Sequence, residues 1–280
     1  MTFSIVARSD HAYGVAVASR FLAVGAVVPA AEASVGALAT QSYANVAYRP
    51  QGLALLRTGV AAPEVVAGLT AADPGRERRQ LGVVSATGPG ATYTGSECHD
   101  WAGGEAGDGW AIQGNLLTGP QVITAMRDVW LGGDTDAPLA RRLVAALRAG
   151  DQAGGDRRGR QSAAVLVVAA SQGYGQTSDT VVDLRVDDHP DPVGELARLL
   201  EVHTMLFGKP EPDSLRELVA PLDDEVRRLL SRVGHPVAEP TPAALDAALA
   251  DWAGIENLEE RIVPGKIDPL VLAHLRASAG

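Results

Sequence analysis

Lysine is almost missing from this chain. Lys209 and Lys266 are the only two among 24 basic residues, so up to position 208 every basic side chain other than histidine is an arginine. The glycines at Gly103, Gly104 and Gly107 therefore cannot form a phosphate loop, which needs a lysine to reach the phosphates. Cysteine is limited to Cys98, which excludes an internal disulfide and a cysteine-rich zinc site. Positive charge is also in deficit: the net charge is −10 and the isoelectric point near 5.1. A nucleic-acid or anionic-membrane surface needs clustered Lys and Arg, so neither partner is expected. No run is apolar and long enough to span a bilayer, and no charged n-region of a signal peptide opens the chain. A cytoplasmic address is the expectation, and neither a metal nor a cofactor is called for.

What is present reads as an ordinary globular chain, with 280 residues, 46% hydrophobic and 21% charged. That length suits one large domain with a small appendage. Ser4–Arg8 and Gly14–Ser19 are short apolar runs separated by five residues, which predicts an antiparallel hairpin. Two further strand-like runs follow, Ala26–Val28 and Ser34–Thr40. Pro50–Arg57 and Pro63–Ala71 then have helical spacing with proline in the opening turn, and Gly59 stands just past the first. A second strand group covers Gln80–Ser85, Ala91–Thr94 and Trp110–Gln113. Helices are predicted over Pro120–Leu131 and Pro138–Ala149, strands over Ala163–Ala169 and Thr180–Val186, and a helix over Pro192–Leu206. This order is not the regular alternation of a parallel α/β sheet. Strands that are apolar throughout are covered on both faces. An α+β fold, a four-layer αββα sandwich, satisfies both observations.

Composition shifts at Gly208-Lys209-Pro210-Glu211-Pro212, which reads as a linker. The expected division is therefore 1–207 and 208–280. Beyond it, Leu215–Val233, Thr241–Ala253 and Pro269–Ala277 predict a small helical module, near the lower size limit for folding alone. Its apolar helices also suggest homo-oligomerisation.

The first residues carry the sharpest chemical suggestion. Met1 followed by a small residue is normally trimmed, which would leave Thr2 as the N-terminus. An α-amine with a pKa of about 7.7–8.0 can then serve as base to the hydroxyl of its own residue. Thr2 is otherwise simply the first residue of a strand. Ser19 and Arg20 end the second strand of the hairpin and can lie beside Thr2. Arg20 suits a substrate carboxylate, which guanidinium holds with two parallel hydrogen bonds. Asn115, flanked by Gly114, can donate to a developing oxyanion, with Gln41 and Asn45 as further candidates. The segment Asp156-Arg157-Arg158-Gly159-Arg160 is either a self-paired solvated loop or one that presents arginine to an acidic substrate. Asp187-Asp188-His189 with Asp191 reads as a helix cap rather than a metal site. Cys98 is a rival nucleophile beside His99, but neighbours on a strand point to opposite faces, and a buried, inert thiol is the simpler reading.

Several stretches together resemble a known bacterial family. They are Met1-Thr2-Phe3-Ser4-Ile5-Val6-Ala7-Arg8, Gly14–Gly25, Ala39-Thr40-Gln41 with Asn45, Thr94-Gly95 with Cys98, Trp101-Ala102-Gly103, Gln113-Gly114-Asn115-Leu116-Leu117, Gly155–Ser162 and Val186–Pro190. The resemblance is to domain-of-unknown-function family 1028, over roughly residues 2–205, and it implies a fold similar to N-terminal nucleophile (Ntn) hydrolases. It brings no defined activity or substrate. Taken with the chemistry of Thr2, the expectation is an Ntn-type amidohydrolase acting on a small amide, including one that bears a carboxylate, with Thr2 as nucleophile and base. Asn115 and Ser19 join Thr2 as catalytic candidates, and Arg20, Gln41, Asn45, Gln113 and Arg158 as substrate-binding ones. Proteasome-type Ntn enzymes place a lysine near the nucleophile; here Arg20 is the nearby cation instead. The tail, with Trp252-Ala253-Gly254, Glu256–Arg261 and Ile267-Asp268, resembles a module labelled peptidoglycan-binding. The alternative it implies is a non-catalytic protein on the same scaffold, binding a cell-wall fragment or protein partner through that module.

Overall fold

The computed structural model of this protein describes residues 2–280. The chain divides into two compact units, one ending at Leu200 and the other spanning Glu201–Gly280. The first is built on a hairpin, β1 (Thr2–Ser9) and β2 (Ala12–Ser19), in which Thr2 pairs with Ser19 and Ser9 with Ala12. A single helical turn, α1 (Val24–Val27), leads to β3 (Pro29–Glu32) and β4 (Gly36–Ser42). Helices α2 (Tyr48–Arg57) and α3 (Ala62–Ala71) follow, and Gly59 between them takes a φ of 83° that a side chain would strain. Then come β5 (Arg79–Ser85), β6 (Ala91–Thr94), β7 (Gly103–Gly107) and β8 (Trp110–Asn115). Helices α4 (Gln121–Gly132) and α5 (Leu139–Gln152), strands β9 (Ser162–Ala169) and β10 (Thr180–Val186), and α6 (Pro192–Phe207) complete the order.

These strands form two antiparallel sheets, six-stranded β10-β9-β2-β1-β8-β7 and four-stranded β3-β4-β5-β6. Alternation along each strand sorts its side chains between two interfaces. Val6, Val15 and Val17 of the larger sheet meet Ala37, Ala39 and Val84 of the smaller one in a shared inner core. Phe3, Ile5, Ala16 and Ala18, on the opposite face, pack under α4, α5 and α6 with Met126, Leu143, Leu147 and Leu196. Leu38, Leu81 and Val83 pack likewise under α2 and α3. The result is four layers, αββα, with both faces of each sheet covered. Each fully buried Ile or Leu contributes about 1.5–3 kcal/mol over its exposed state.

Two local expectations give way to the structure in this unit. Ala26–Val28 is not a strand. The Ser162 hydroxyl accepts the Val24 N–H at 3.1 Å, and the Val28 N–H bonds the Val24 carbonyl at 3.0 Å. Val24 and Val28, four apart, thereby reach the same inner core from one helical turn. Gly103–Gly107, where the sequence predicts no element, is a strand at the edge of the larger sheet, paired with β8. Its three glycines hide it, because glycine is depleted in strands.

The second unit holds α7 (Leu222–Arg232), α8 (Pro242–Ile255) and α9 (Pro269–Ser278) around Leu230, Leu249, Trp252 and Leu275. A two-residue antiparallel pair, β11 (Arg216–Glu217) and β12 (Lys266–Ile267), accompanies them. The helix expected from Leu215 starts only at Leu222, since Pro221 lacks an N–H and disfavours helix in the residue before it. Arg261, almost fully buried, donates to Asp268 and to the carbonyls of Thr204 and Met205, so it is paired where an isolated cation would be costly. Among the described residues, no helix is long and apolar enough to cross a membrane.

Candidate functional site

Strand register brings three of the predicted residues to one point. Thr2 pairs with Ser19 on β2 and with Asn115 on β8, so both flank it on the inner face of the sheet. The Thr2 hydroxyl donates to the Ser19 Oγ at 3.1 Å, and all three side chains are buried. Two residues further along the same face, Ser4 stands opposite Gln113. From the facing sheet come Gln41 and Gln80, themselves register partners on β4 and β5. A polar seam thus occupies one end of an otherwise apolar interface.

Its hydrogen bonds have one consistent direction, and a backbone carbonyl sets it. The Gly114 carbonyl can only accept, and it takes the Gln80 Nε2 at 2.7 Å. Gln80 Oε1 must then be an acceptor, and it receives Gln41 Nε2 and Asn115 Nδ2, both at 2.8 Å. Gln41 Oε1 accepts the Ser4 hydroxyl at 2.7 Å, and the Ser4 Oγ accepts Gln113 Nε2 at 2.6 Å. Two atoms at the ends of this chain, Gln113 Oε1 and Asn115 Oδ1, are buried with no partner among the described residues. Gln41 and Asn115 also donate to the Thr2 carbonyl, at 3.3 and 3.5 Å. The second of these is the longest contact of the seam, hence the one most readily given up. Gly82 makes the seam possible, because a Cβ there would stand 2.0 Å from Gln113 Oε1.

The loop after α5 seals the end of the strands on which Thr2 lies. Buried Asp156 accepts the backbone N–H of Arg20 and of Arg158, each at 2.9 Å. Arg157 N–H bonds the Leu116 carbonyl at 3.0 Å. Arg20 follows Ser19 and Leu116 follows Asn115, so the loop is tied to the residue after each partner of Thr2. Beside it opens a cavity of about 590 Å³ lined by Phe3, Ala18, Ser19, Arg20, Arg157 and Arg160, with others of the loop and α6.

Other candidates lie elsewhere or are engaged. Arg158 grips both oxygens of Asp156, at 3.1 and 2.8 Å, as the self-paired loop anticipates. Asn45 bonds Asp73 at 3.2 Å and the Ala47 N–H, in a separate cluster where Arg79 and Tyr48 also meet Asp73. Cys98 lies on a turn rather than a strand, its thiol on the Arg79 carbonyl at 3.4 Å, while His99 contacts Tyr43. Asp191 accepts the Gly194 N–H at 3.3 Å at the start of α6. No group of His, Cys, Asp and Glu among the described residues is arranged to hold a metal. Met1, whose removal the Thr2 chemistry requires, lies outside the described residues. Ser4 and Gln80 were not among the sequence candidates. The signal for Ser4 is its even spacing from Thr2 on one strand, whereas Gln80, 39 residues from its partner Gln41, carries no local signal.

Fold and seam together define an αββα protein with a polar centre at one end of its inner interface. The chain belongs to the family described as "Family of unknown function (DUF1028)", which matches residues 2–196. A second family, described as "Putative peptidoglycan binding domain", matches residues 206–275. Among solved structures the chain is similar to the crystal structure of protein SPO2555 from Silicibacter pomeroyi, itself assigned to DUF1028. The two are 34% identical with a TM-score of 0.65, over 72% of this chain and 86% of that one. No curated protein matches.

Proposed function

We propose that this protein is an amidohydrolase of the N-terminal nucleophile type, cleaving a small amide with Thr2 as nucleophile and its own α-amine as base. The observation that carries this reading is the register of Thr2 between Ser19 and Asn115, with its hydroxyl on the Ser19 Oγ. Once Met1 is gone, the free amine takes the hydroxyl proton as Thr2 Oγ attacks the carbonyl carbon. For this the Thr2 hydroxyl turns its one proton from the Ser19 Oγ to the amine, and Ser19 stays beside the attacking oxygen. Asn115 Nδ2 turns from its long contact with the Thr2 carbonyl to the oxyanion, a donor worth about 2.7–4 kcal/mol in favourable cases. The leaving amine recovers the proton, and water then hydrolyses the Thr2 ester with the same α-amine as base. Gln41 and Gln113 shape this end of the seam, and Arg20, next in the chain to Ser19, lines the cavity.

The test is intact mass followed by turnover. A mass lacking Met1, with hydrolysis of a small-amide panel that falls about 10³-fold in Thr2→Ala, supports the reading. A mass retaining Met1 or carrying an acetyl group removes the base and sinks it. The description of the second matched family favours an additional reading, in which residues 206–275 bind a cell-wall fragment.

A further inference from the structure

The cavity at Ser19 and Arg20 is lined by three arginines in a chain whose net charge is −10. Two acids share its wall, and both are already answered. Arg160 donates to Asp151 at 2.8 Å, and Arg158 neutralises Asp156. Arg20 and Arg157 remain. Among the described residues neither has a carboxylate partner; Arg20 makes only a 3.4 Å contact to the Arg160 carbonyl. Both guanidinia therefore lend uncompensated positive charge to a concave site. Ser19 belongs at once to this cavity and to the hydrogen bond of Thr2. A ligand held here thus touches Ser19, the strand partner of Thr2, although Thr2 itself does not line the cavity. Phe3, Ala18, Pro190 and Pro192 supply an apolar wall.

We propose that this cavity is the subsite for a carboxylate on a short apolar stem, clamped by Arg20 and Arg157, which makes the substrate a small acyl amide bearing a carboxylate. The proposal rests on the Thr2 hydrolase reading. Guanidinium matches the two coplanar oxygens of a carboxylate with paired N–H donors. A phosphate would be better served by free backbone N–H groups at a helix start. That device is missing here, since Pro192 has no N–H and Asp191 already caps Gly194.

The experiment follows the guanidinium Nε–H resonances of the full-length protein during titration. The probes are acetate, succinate and N-acetylglycine, their uncharged amides, and inorganic phosphate, with assignments from Arg20→Lys and Arg157→Lys. The expected result is that at least one carboxylate moves both resonances and binds at least tenfold tighter than its amide. Arg157→Gln should weaken that binding at least tenfold, and Thr2→Ala should leave it intact. Failure of every carboxylate to move the two resonances, equal binding of the amides, or tighter binding of phosphate than of every carboxylate overturns the subsite. Turnover separates the two readings. Carboxylate binding without hydrolysis leaves the subsite standing and removes the hydrolase, whereas equal kcat/KM for charged and neutral amides does the reverse.

Discussion

Asp73 gathers more donors than any other carboxylate of the smaller sheet's helical side. Arg79 Nε, Tyr48 Oη and Asn45 Nδ2 reach its Oδ2 at 2.8, 2.9 and 3.2 Å, and the Gly75 N–H reaches Oδ1 at 2.7 Å. The Arg79 guanidinium, foremost, holds the carboxyl well below its usual 3.8, while burial and then Asp73 push the Tyr48 phenol above its usual 10. Because the folded value of Asp73 is depressed, its contribution is complete above pH 3.8 and is lost as pH falls toward the folded value. Asp73→Asn is expected to cost about 3 kcal/mol at pH 7, as removing one partner of a buried pair does. Denaturation midpoints of the two proteins should draw together as pH falls below about 4, the ordinary carboxylate value; a constant gap would disprove the assignment. The same donor count explains why Asn45, a candidate for substrate contact from its sequence block, is occupied away from Thr2. In the proposed mechanism the Thr2 α-amine is a base that works when deprotonated, so kcat/KM should rise with pH to a plateau above about 8. A rate independent of pH from 6 to 9, roughly the span around that amine, would exclude it as the base.

At the scale of strands, the polar seam is a product of register. A two-residue period puts Thr2, Ser4 and Val6 on one face of β1, and the same period puts Gln113 and Asn115 on that face of β8. A slip by one residue would send every one of them to the helix-covered side. Gly82 protects this arrangement by leaving room for Gln113. Gly82→Ala is expected to lose about 1–3 kcal/mol, the usual cost of overpacking a core. Gln80→Leu should cost more than a simple loss of packing, because Gln41 and Asn115 would each keep a buried N–H without its acceptor, at about 1–3 kcal/mol apiece. Equilibrium urea unfolding measures both, and a neutral Gln80→Leu would mean that the seam does not hold the sheets in register. The strands of the hairpin and of β4, β5 and β8 were legible because their apolar runs are continuous. β7 was not, since three of its five residues are glycine, and α1 was not, since its valines imitate a strand.

For the whole molecule, two matched families divide the chain at residues 196 and 206, and the compact units divide at residue 200. The expected boundary at 207 rested on a Pro-rich stretch, but α6 runs on to Phe207 and its last turn contributes Met205 and Leu206 to the core of the second unit. Linker composition marks where helix becomes impossible, not where packing changes allegiance. If residues 206–275 bind the cell wall, the full-length protein should co-sediment with insoluble peptidoglycan, and a chain ending at residue 200 should not. Equal co-sedimentation of the two would assign any binding to the first unit. An effect of Thr2→Ala on sedimentation is not expected.

Sequence by itself determined the layers. Apolar runs without alternation demand cover on both faces, and helices placed between strand groups supply it, so the αββα arrangement follows from local pattern and covering requirement. It also singled out Thr2, Ser19 and Asn115, through the chemistry of an N-terminal hydroxyl and a family resemblance. Only the tertiary structure decided which polar residues share a site. Ser4 shares the Thr2 face through the two-residue period of one strand, whereas Gln80 joins only by packing across the sheets, at a separation that no local pattern encodes. The same long-range geometry commits Arg158 to Asp156 and leaves Arg20 and Arg157 facing the cavity. Charge is written in the chain, but which charge is cancelled depends on which residues the fold sets side by side.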